Sequence, residues 1–227
     1  MKIGALQKFS LIDYPNEICA IIFTVGCNFR CPYCHNPELV TGSTNGIEEK
    51  ELFEFLKKRT GRLTAVSITG GEPTIHKDLP VVIKKIKELG YKVKLDTNGT
   101  NPDAIDELIG FSLIDYIAMD IKAPFEKYDR VTNVKCKIDD IRRSIDIIKK
   151  SNINYEFRTT VVEGLLSKED VLKIAKSIKG AKAYFIQRFI PSKTLNKAYM
   201  NKSSITNDEL DEIKKDVSMY FDRFGIR

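Results

Sequence analysis

Histidine is scarce in this chain. His35 and His76 are the only two among 227 residues, and tryptophan is absent. A hydrolase built on histidine general-base chemistry is poorly supported. No apolar run approaches the roughly 20 residues of a membrane-spanning helix; the longest near the start covers 18–25. Residues 1–10 carry two lysines and no long apolar segment, so a secretory leader is not expected there. Neither sign of charge dominates. Lys plus Arg number 37 and Asp plus Glu 31, a net +6 spread along the sequence. That excess is too modest and dispersed to mark a nucleic-acid surface. Solvated helix faces account for it, and a weakly basic face is open to an acidic partner or the anionic end of a small ligand. Low-complexity segments and clear linkers are missing too. With 42% hydrophobic and 30% charged residues, the composition is that of one globular domain with a substantial core.

Cysteine is the exception to this plainness. Of five cysteines, three fall within eight residues. With no span and no leader in view, a cytoplasmic location is expected, where thiols stay reduced. The cluster of cysteines is then a metal site rather than a disulfide framework.

Short β-rich runs alternate with longer amphipathic ones. The runs at 18–23, 65–68, 92–95, 116–119, 155–161 and 183–186 are expected as strands. Helical patterns follow at 48–59, 79–89, 103–109, 138–150, 168–178 and 207–224. Six strand–helix units predict a parallel α/β sheet, either open and doubly wound or an incomplete (β/α) barrel. Chemistry in both gathers beyond the carboxyl ends of the strands. The expected layout is an N-terminal extension over 1–16, a core over 17–190, and a C-terminal loop and helix over 191–227. Four unusual clusters fall on that one face: the three-cysteine loop, Gly70-Gly71-Glu72-Pro73, Asp96-Thr97-Asn98-Gly99 and Asp120-Ile121-Lys122.

Cys27-Asn28-Phe29-Arg30-Cys31-Pro32-Tyr33-Cys34 has the spacing C-x3-C-x2-C. Three thiolates on one loop ligate three irons of a cubane and leave the fourth open to a chelating ligand. The alternative is zinc with His35 or Cys19 as fourth ligand, but the second ligand pair usual in structural zinc modules is absent downstream. Cys19, inside the first expected strand, is read as a small core residue. Cys136 has no partner in sequence and receives no role. Gly70 and Gly71 allow close backbone approach to a ligand, with Glu72 at hand for an ammonium; a plain strand-to-helix turn is the other reading. Asp96, Thr97 and Asn98 read as ligand contacts or as an Asx turn. Asp120 and Lys122 share a strand face and bind ligand hydroxyls and a carboxylate, or pair with each other. Arg158 has strand parity with Glu156 and Thr160, and an arginine inside a barrel is costly unless paired. Tyr33 is placed to pack beside an aromatic base or simply within its loop.

In these motifs, taken in order, the sequence resembles the radical S-adenosylmethionine superfamily. Ile3-Gly4-Ala5-Leu6-Gln7-Lys8, Leu11-Ile12-Asp13-Tyr14-Pro15 and Gly26 through Pro37 narrow the likeness. They resemble the anaerobic ribonucleoside-triphosphate reductase activating proteins and their pyruvate formate-lyase activase relatives. The resemblance implies a partial (β/α)6 TIM-like barrel. It implies one [4Fe–4S] cluster on Cys27, Cys31 and Cys34 that reductively cleaves S-adenosylmethionine, giving methionine and a 5′-deoxyadenosyl radical. Tyr33, Asn36, Gly70, Gly71, Glu72, Asp96, Thr97, Asp120, Lys122 and Arg158 are then the cofactor-binding set. The implied reaction is hydrogen abstraction from a glycine Cα of a partner, expected to be an anaerobic ribonucleotide reductase, with a flavodoxin- or ferredoxin-type electron donor. Members with additional clusters carry an inserted cysteine-rich stretch, whereas 36–69 here contains no cysteine. Where some activases place a late-strand histidine, this chain has Gln187-Arg188. The alternatives are a radical enzyme acting on a small molecule, such as a 7-carboxy-7-deazaguanine synthase-like ring-contraction enzyme, and, from another class, a zinc-bearing interaction module.

Overall fold

The computed structural model describes all residues from Met1 to Arg227. Eight strands form one sheet in sequential order: β1 Ile3–Ser10, β2 Cys19–Thr24, β3 Ala65–Gly70, β4 Lys92–Thr97, β5 Tyr116–Asp120, β6 Asn154–Val161, β7 Ala183–Arg188 and β8 Arg223–Ile226. β1 runs antiparallel to β2, and every later pair is parallel. β1 and β8 do not pair, so the sheet curls into an incomplete barrel.

Strand alternation makes two faces. Outward residues such as Ile22, Val66, Ile68, Leu95 and Phe157 join the main core. Helices α1 Pro37–Thr41, α2 Glu49–Arg59, α3 Leu79–Glu88, α4 Pro102–Gly110, α5 Tyr128–Thr132, α6 Ile138–Lys150, α7 Lys168–Ser177 and α8 Asn207–Val217 complete the fold. α3 buries Val82, Ile83 and Ile86, and α6 buries Ile141, Ile145 and Ile148, each at the 3.6-residue period. Each such side chain contributes about 1.5–3 kcal/mol by leaving water. No helix is long and apolar enough to cross a membrane.

The inward face changes character along the strands. Its lower part is a small apolar plug of Tyr14, Cys19, Ile21, Ala65, Tyr116 and Ala118. Cys19 is therefore core. Above the plug the same parity carries Asp96, Asp120, Arg158, Thr160 and Gln187, which open onto a cavity.

The ends of the chain differ from expectation. Residues 1–16 are not only an extension, because β1 continues the sheet. Ala5, Gln7, Lys8 and Phe9 are exposed, as on an edge strand with one free side, so clean alternation is lost. The final helix stops at Val217 rather than continuing to 224. A 3-10 turn follows, then β8 along β7. Phe221 and Phe224 read as helical but pack on Tyr184, at 5.2 and 5.8 Å between ring centroids.

Candidate functional site

A cavity of 510 Å³ lies at the carboxyl ends of the strands and gathers all four sequence clusters. Cys27, Cys31, Tyr33, Cys34 and Asn36 come from the loop after β2. Gly70, Gly71 and Glu72 follow β3, Asp96 and Thr97 end β4, and Asp120 and Lys122 close β5. Arg158 reaches in from β6, and Gln187 and Arg188 from the end of β7. Every residue expected at the site lines this one space. Cys136 does not; its thiol lies 3.1 Å from the Thr132 hydroxyl.

Burial pushes the Cys27 thiol up to about 12 and the Cys31 thiol up to about 11. Buried thiols of this kind lose their protons only to a metal that compensates the thiolate charge. A tetrahedral zinc site would bring three or four donors onto one ion, whereas a cubane takes one thiolate per iron. His35 stacks on Phe189, with ring centroids 5.1 Å apart.

The floor is a line of alternating charge. Lys94 pairs with Asp96. Arg158 Nη1 donates to Asp96 at 3.2 Å and Nε to Asp120 at 2.9 Å, and Lys122 Nζ donates to Asp120 at 2.9 Å. Burial alone would raise the aspartates. The Arg158 guanidinium with Lys94 at Asp96, and with Lys122 at Asp120, outweighs it and holds both below the usual carboxylate range. Three cations meet two carboxylates here, leaving a positive excess.

Glu72 faces the same cavity and is different. Its carboxylate is 1% exposed and accepts from Thr74 N (3.1 Å), Thr74 Oγ1 (2.6 Å), Thr97 Oγ1 (2.7 Å) and Asn98 N (2.6 Å). No cation pairs with it, and burial pushes its pKa up despite those bonds. The cavity thus holds a buried carboxylate with no cation and, separately, the cations Lys122 and Arg158. A zwitterion with an ammonium and a carboxylate fits these two sets of charge.

The two glycines also set how closely two loops approach. A Cβ on Gly71 would lie 1.8 Å from the Gly26 carbonyl oxygen. One on Gly70, whose φ is +113°, would lie 2.4 Å from Thr24 N. The space they free is filled by the start of the cysteine loop, and Glu72 N donates to Gly26 O at 2.8 Å. They bring two loops together at the edge of the cavity that both glycines line.

Sequence reasoning missed Asp13 and Lys94 at or beneath this site. Lys94 was discoverable, since a lysine flanked by Val93 and Leu95 shares strand parity with Asp96. Asn98, expected as a ligand contact or a turn residue, also donates through Nδ2 to Asn28 Oδ1 at 2.8 Å, joining the β4 loop to the cysteine loop. Tyr33 sits edge-on to Phe189 at 6.3 Å, with a buried hydroxyl that has no partner in the protein.

The family description Radical SAM superfamily matches residues 21–178. The chain belongs to the radical SAM superfamily. Such an enzyme works with a [4Fe–4S] cluster and S-adenosylmethionine, and the three thiols and the complementary charges of the cavity suit that pair. The chain is 38% identical over 99% of its length, and 95% of the relative's, to a Methanocaldococcus jannaschii protein named "Putative glycyl-radical enzyme activating enzyme". A pyruvate formate-lyase-activating enzyme from Clostridium pasteurianum is 28% identical over 86% of this chain and 83% of its own. Among solved structures, Streptococcus suis SuiB bound to S-adenosylmethionine superposes on 91% of the chain with a TM-score of 0.70 at 15% identity. This radical SAM chain spans about half of that structure (49%), so the likeness speaks to the fold alone.

Proposed function

We propose that this protein is a glycyl-radical enzyme activase whose partner is an anaerobic ribonucleoside-triphosphate reductase. The observation that supports it most is that likeness to a relative named for glycyl-radical activation runs along nearly the whole chain, beyond the shared barrel. In this reading Cys27, Cys31 and Cys34 hold the cluster. Glu72 receives the ammonium of S-adenosylmethionine. Lys122 and Arg158 receive its carboxylate. Asp96, Thr97, Asp120, Tyr33 and Asn36 line the remainder. When bound, cluster and cofactor together supply a one-electron cleavage and a hydrogen-abstracting radical. The protein's own part is to hold the ligand's two charges apart, to keep water out and to admit a glycine loop. Such a loop suits the chemistry, because an unhindered Cα flanked by two amides gives a delocalised radical.

The test is anaerobic reconstitution followed by addition of a candidate reductase. A glycine-centred paramagnetic signal is expected, with deuterium from that glycine's Cα recovered in 5′-deoxyadenosine. Deuterium transferred only from a small metabolite would replace the reading with that of a small-molecule radical enzyme.

A further inference from the structure

Lys94 stands on the inward face of β4, two residues before Asp96, and is 2% exposed. Its neighbours in register are Ser67 on β3 and Tyr116 on β5. Ser67 Oγ is buried with no hydrogen-bond partner, so it gives nothing to the ammonium. The Tyr116 hydroxyl is spent on Glu156, to which it donates at 3.0 Å. Lys94 Nζ bonds Asp96 Oδ1 alone. An ammonium this deep with one partner is destabilising compared with an apolar side chain in the same space. Lys94 does not line the cavity either, so it does not hold a ligand directly. What it does for the site passes through Asp96.

The floor of the cavity shows how. Asp96 and Asp120 share one guanidinium: Arg158 Nη1 reaches Asp96 Oδ2 at 3.2 Å, and Nε reaches Asp120 Oδ1 at 2.9 Å. Arginine commonly grips a single carboxylate with two parallel bonds, yet here it spans two. The second oxygen of each aspartate is taken by a lysine two residues away in sequence, Lys94 for Asp96 and Lys122 for Asp120. Lys122 lines the cavity, whereas Lys94 lies beneath it. With both oxygens held, Asp96 does not turn to chelate Arg158. A carboxylate has about four lone-pair sites, so those left on Asp96 are fixed in direction, on a residue that lines the cavity.

We propose that Lys94 is a positioning residue for ligand binding: from beneath the floor it locks the Asp96 carboxylate, so that Asp96 presents fixed acceptors to the hydroxyl donors of S-adenosylmethionine. The proposal rests on the reading that Asp96 contacts that cofactor. Without Lys94, Arg158 is free to close on Asp96 with two bonds, which turns the acceptors away and withdraws Arg158 from Asp120. Contacts of this kind depend on side chains being held in place before the ligand arrives.

The test uses the reconstituted holoenzyme, with S-adenosylmethionine as probe and anaerobic calorimetry as readout. Lys94→Met keeps most of the side chain's bulk and removes its charge. Its iron content should match the wild type, and its dissociation constant should rise about tenfold. A second variant, Lys94→Ser/Ser67→Lys, exchanges the register partners and returns an ammonium to the same face one strand over. It should regain most of the lost affinity, which a role in filling space would not produce. Wild-type affinity in Lys94→Met would overturn the proposal. So would an exchange variant that keeps its iron and binds no better than Lys94→Met. If Lys94→Met does not fold, the exchange variant decides alone: near-wild-type affinity upholds the positioning role and a large loss overturns it. Lys94→Met/Asp96→Asn, which removes both charges of the pair, separates the proposal from the reading beneath it. Weak binding there, with wild-type binding in Lys94→Met, removes the positioning role and keeps Asp96 as a contact. Wild-type binding in that double variant means that Asp96 touches no ligand, and the reading falls together with the proposal.

Discussion

Asp120 and Arg158 are partners twice over: they are paired in register across β5 and β6, and Arg158 Nε donates to Asp120 Oδ1 at 2.9 Å. Backbone pairing fixes where each side chain starts, so the ion pair is set by the sheet. Arg158 also serves Asp96, so Arg158→Met takes one cation from each of two buried carboxylates, leaving Asp96 to Lys94 and Asp120 to Lys122. A loss of about 1.5–3 kcal/mol in stability is expected for charge-assisted bonds of this kind, read as a lowered urea midpoint. The triple change Arg158→Met/Asp96→Asn/Asp120→Asn should be worse than the single one, because Lys94 and Lys122 are then left as buried cations without a carboxylate.

Two kinds of carboxylate in one cavity give opposite dependence on pH. Asp96 and Asp120 have folded pKa values below their unfolded value of about 3.9. Their contribution is therefore fully present above about pH 4 and is lost as pH falls through the folded values. Glu72 is raised above its unfolded value of about 4.3. It costs nothing below that pH, and the cost grows as pH climbs to the folded value. A cationic ligand that relieves the cost should release protons on binding inside that upper window and none well above it. Calorimetry of S-adenosylmethionine binding in buffers of differing ionisation enthalpy measures this. Equal proton counts at both pH values would remove Glu72 as the ammonium's partner.

Much of this site was legible in the sequence because motif order on a parallel sheet is also spatial order. Once 65–68, 92–95 and 116–119 are strands, the residues following them must share one face. What was not legible depended on tertiary contact. β1 and β8 lie at the sheet's two ends, where half-exposed residues blur the period of two. The Gly70-Gly71 pair signals a close backbone approach, and only the placement of Gly26 shows that one such approach is to the cysteine loop. Glu72 looked like one acid among many until its lack of a cation was visible.

Gly71 offers a direct check of that loop contact. Gly71→Ala places a methyl 1.8 Å from the Gly26 carbonyl oxygen, and backbone has to move. A cost of about 1–3 kcal/mol is expected. Because Gly26 precedes Cys27, cluster retention should drop along with ligand affinity. A variant that keeps full iron and loses only S-adenosylmethionine would place the glycine against the ligand after all.

The cysteines divide cleanly by location. Cys27→Ala, Cys31→Ala or Cys34→Ala should each abolish turnover and lower iron well below the roughly four per chain of an intact cluster. Cys136→Ala should leave iron and turnover unchanged, since that thiol meets the Thr132 hydroxyl and the Val134 carbonyl oxygen outside the cavity. Iron and sulfide analysis after anaerobic reconstitution decides it. Stoichiometric zinc with no reconstitutable cluster would defeat the assignment.

Asn28 lies between two of those cysteines and carries none of the chemistry, yet it is the loop's tether. Its Nδ2 donates to Thr100 Oγ1 at 2.7 Å and its Oδ1 accepts from Asn98 Nδ2 at 2.8 Å. Asn98 N in turn donates to Glu72. The buried carboxylate and the cysteine loop are thus joined through a single residue. Asn28→Ala should speed loss of iron to a chelator while leaving global stability within about 1 kcal/mol, the net worth of one such bond. Glu72→Gln sets an amide donor among four donors and should loosen the same loop from the other end. If Asn98 transmits the effect, the double variant will lose iron little faster than the worse single variant, a coupling of about 0.5–3 kcal/mol. Strict additivity of the two rates would show that the tether and the carboxylate act on the loop independently.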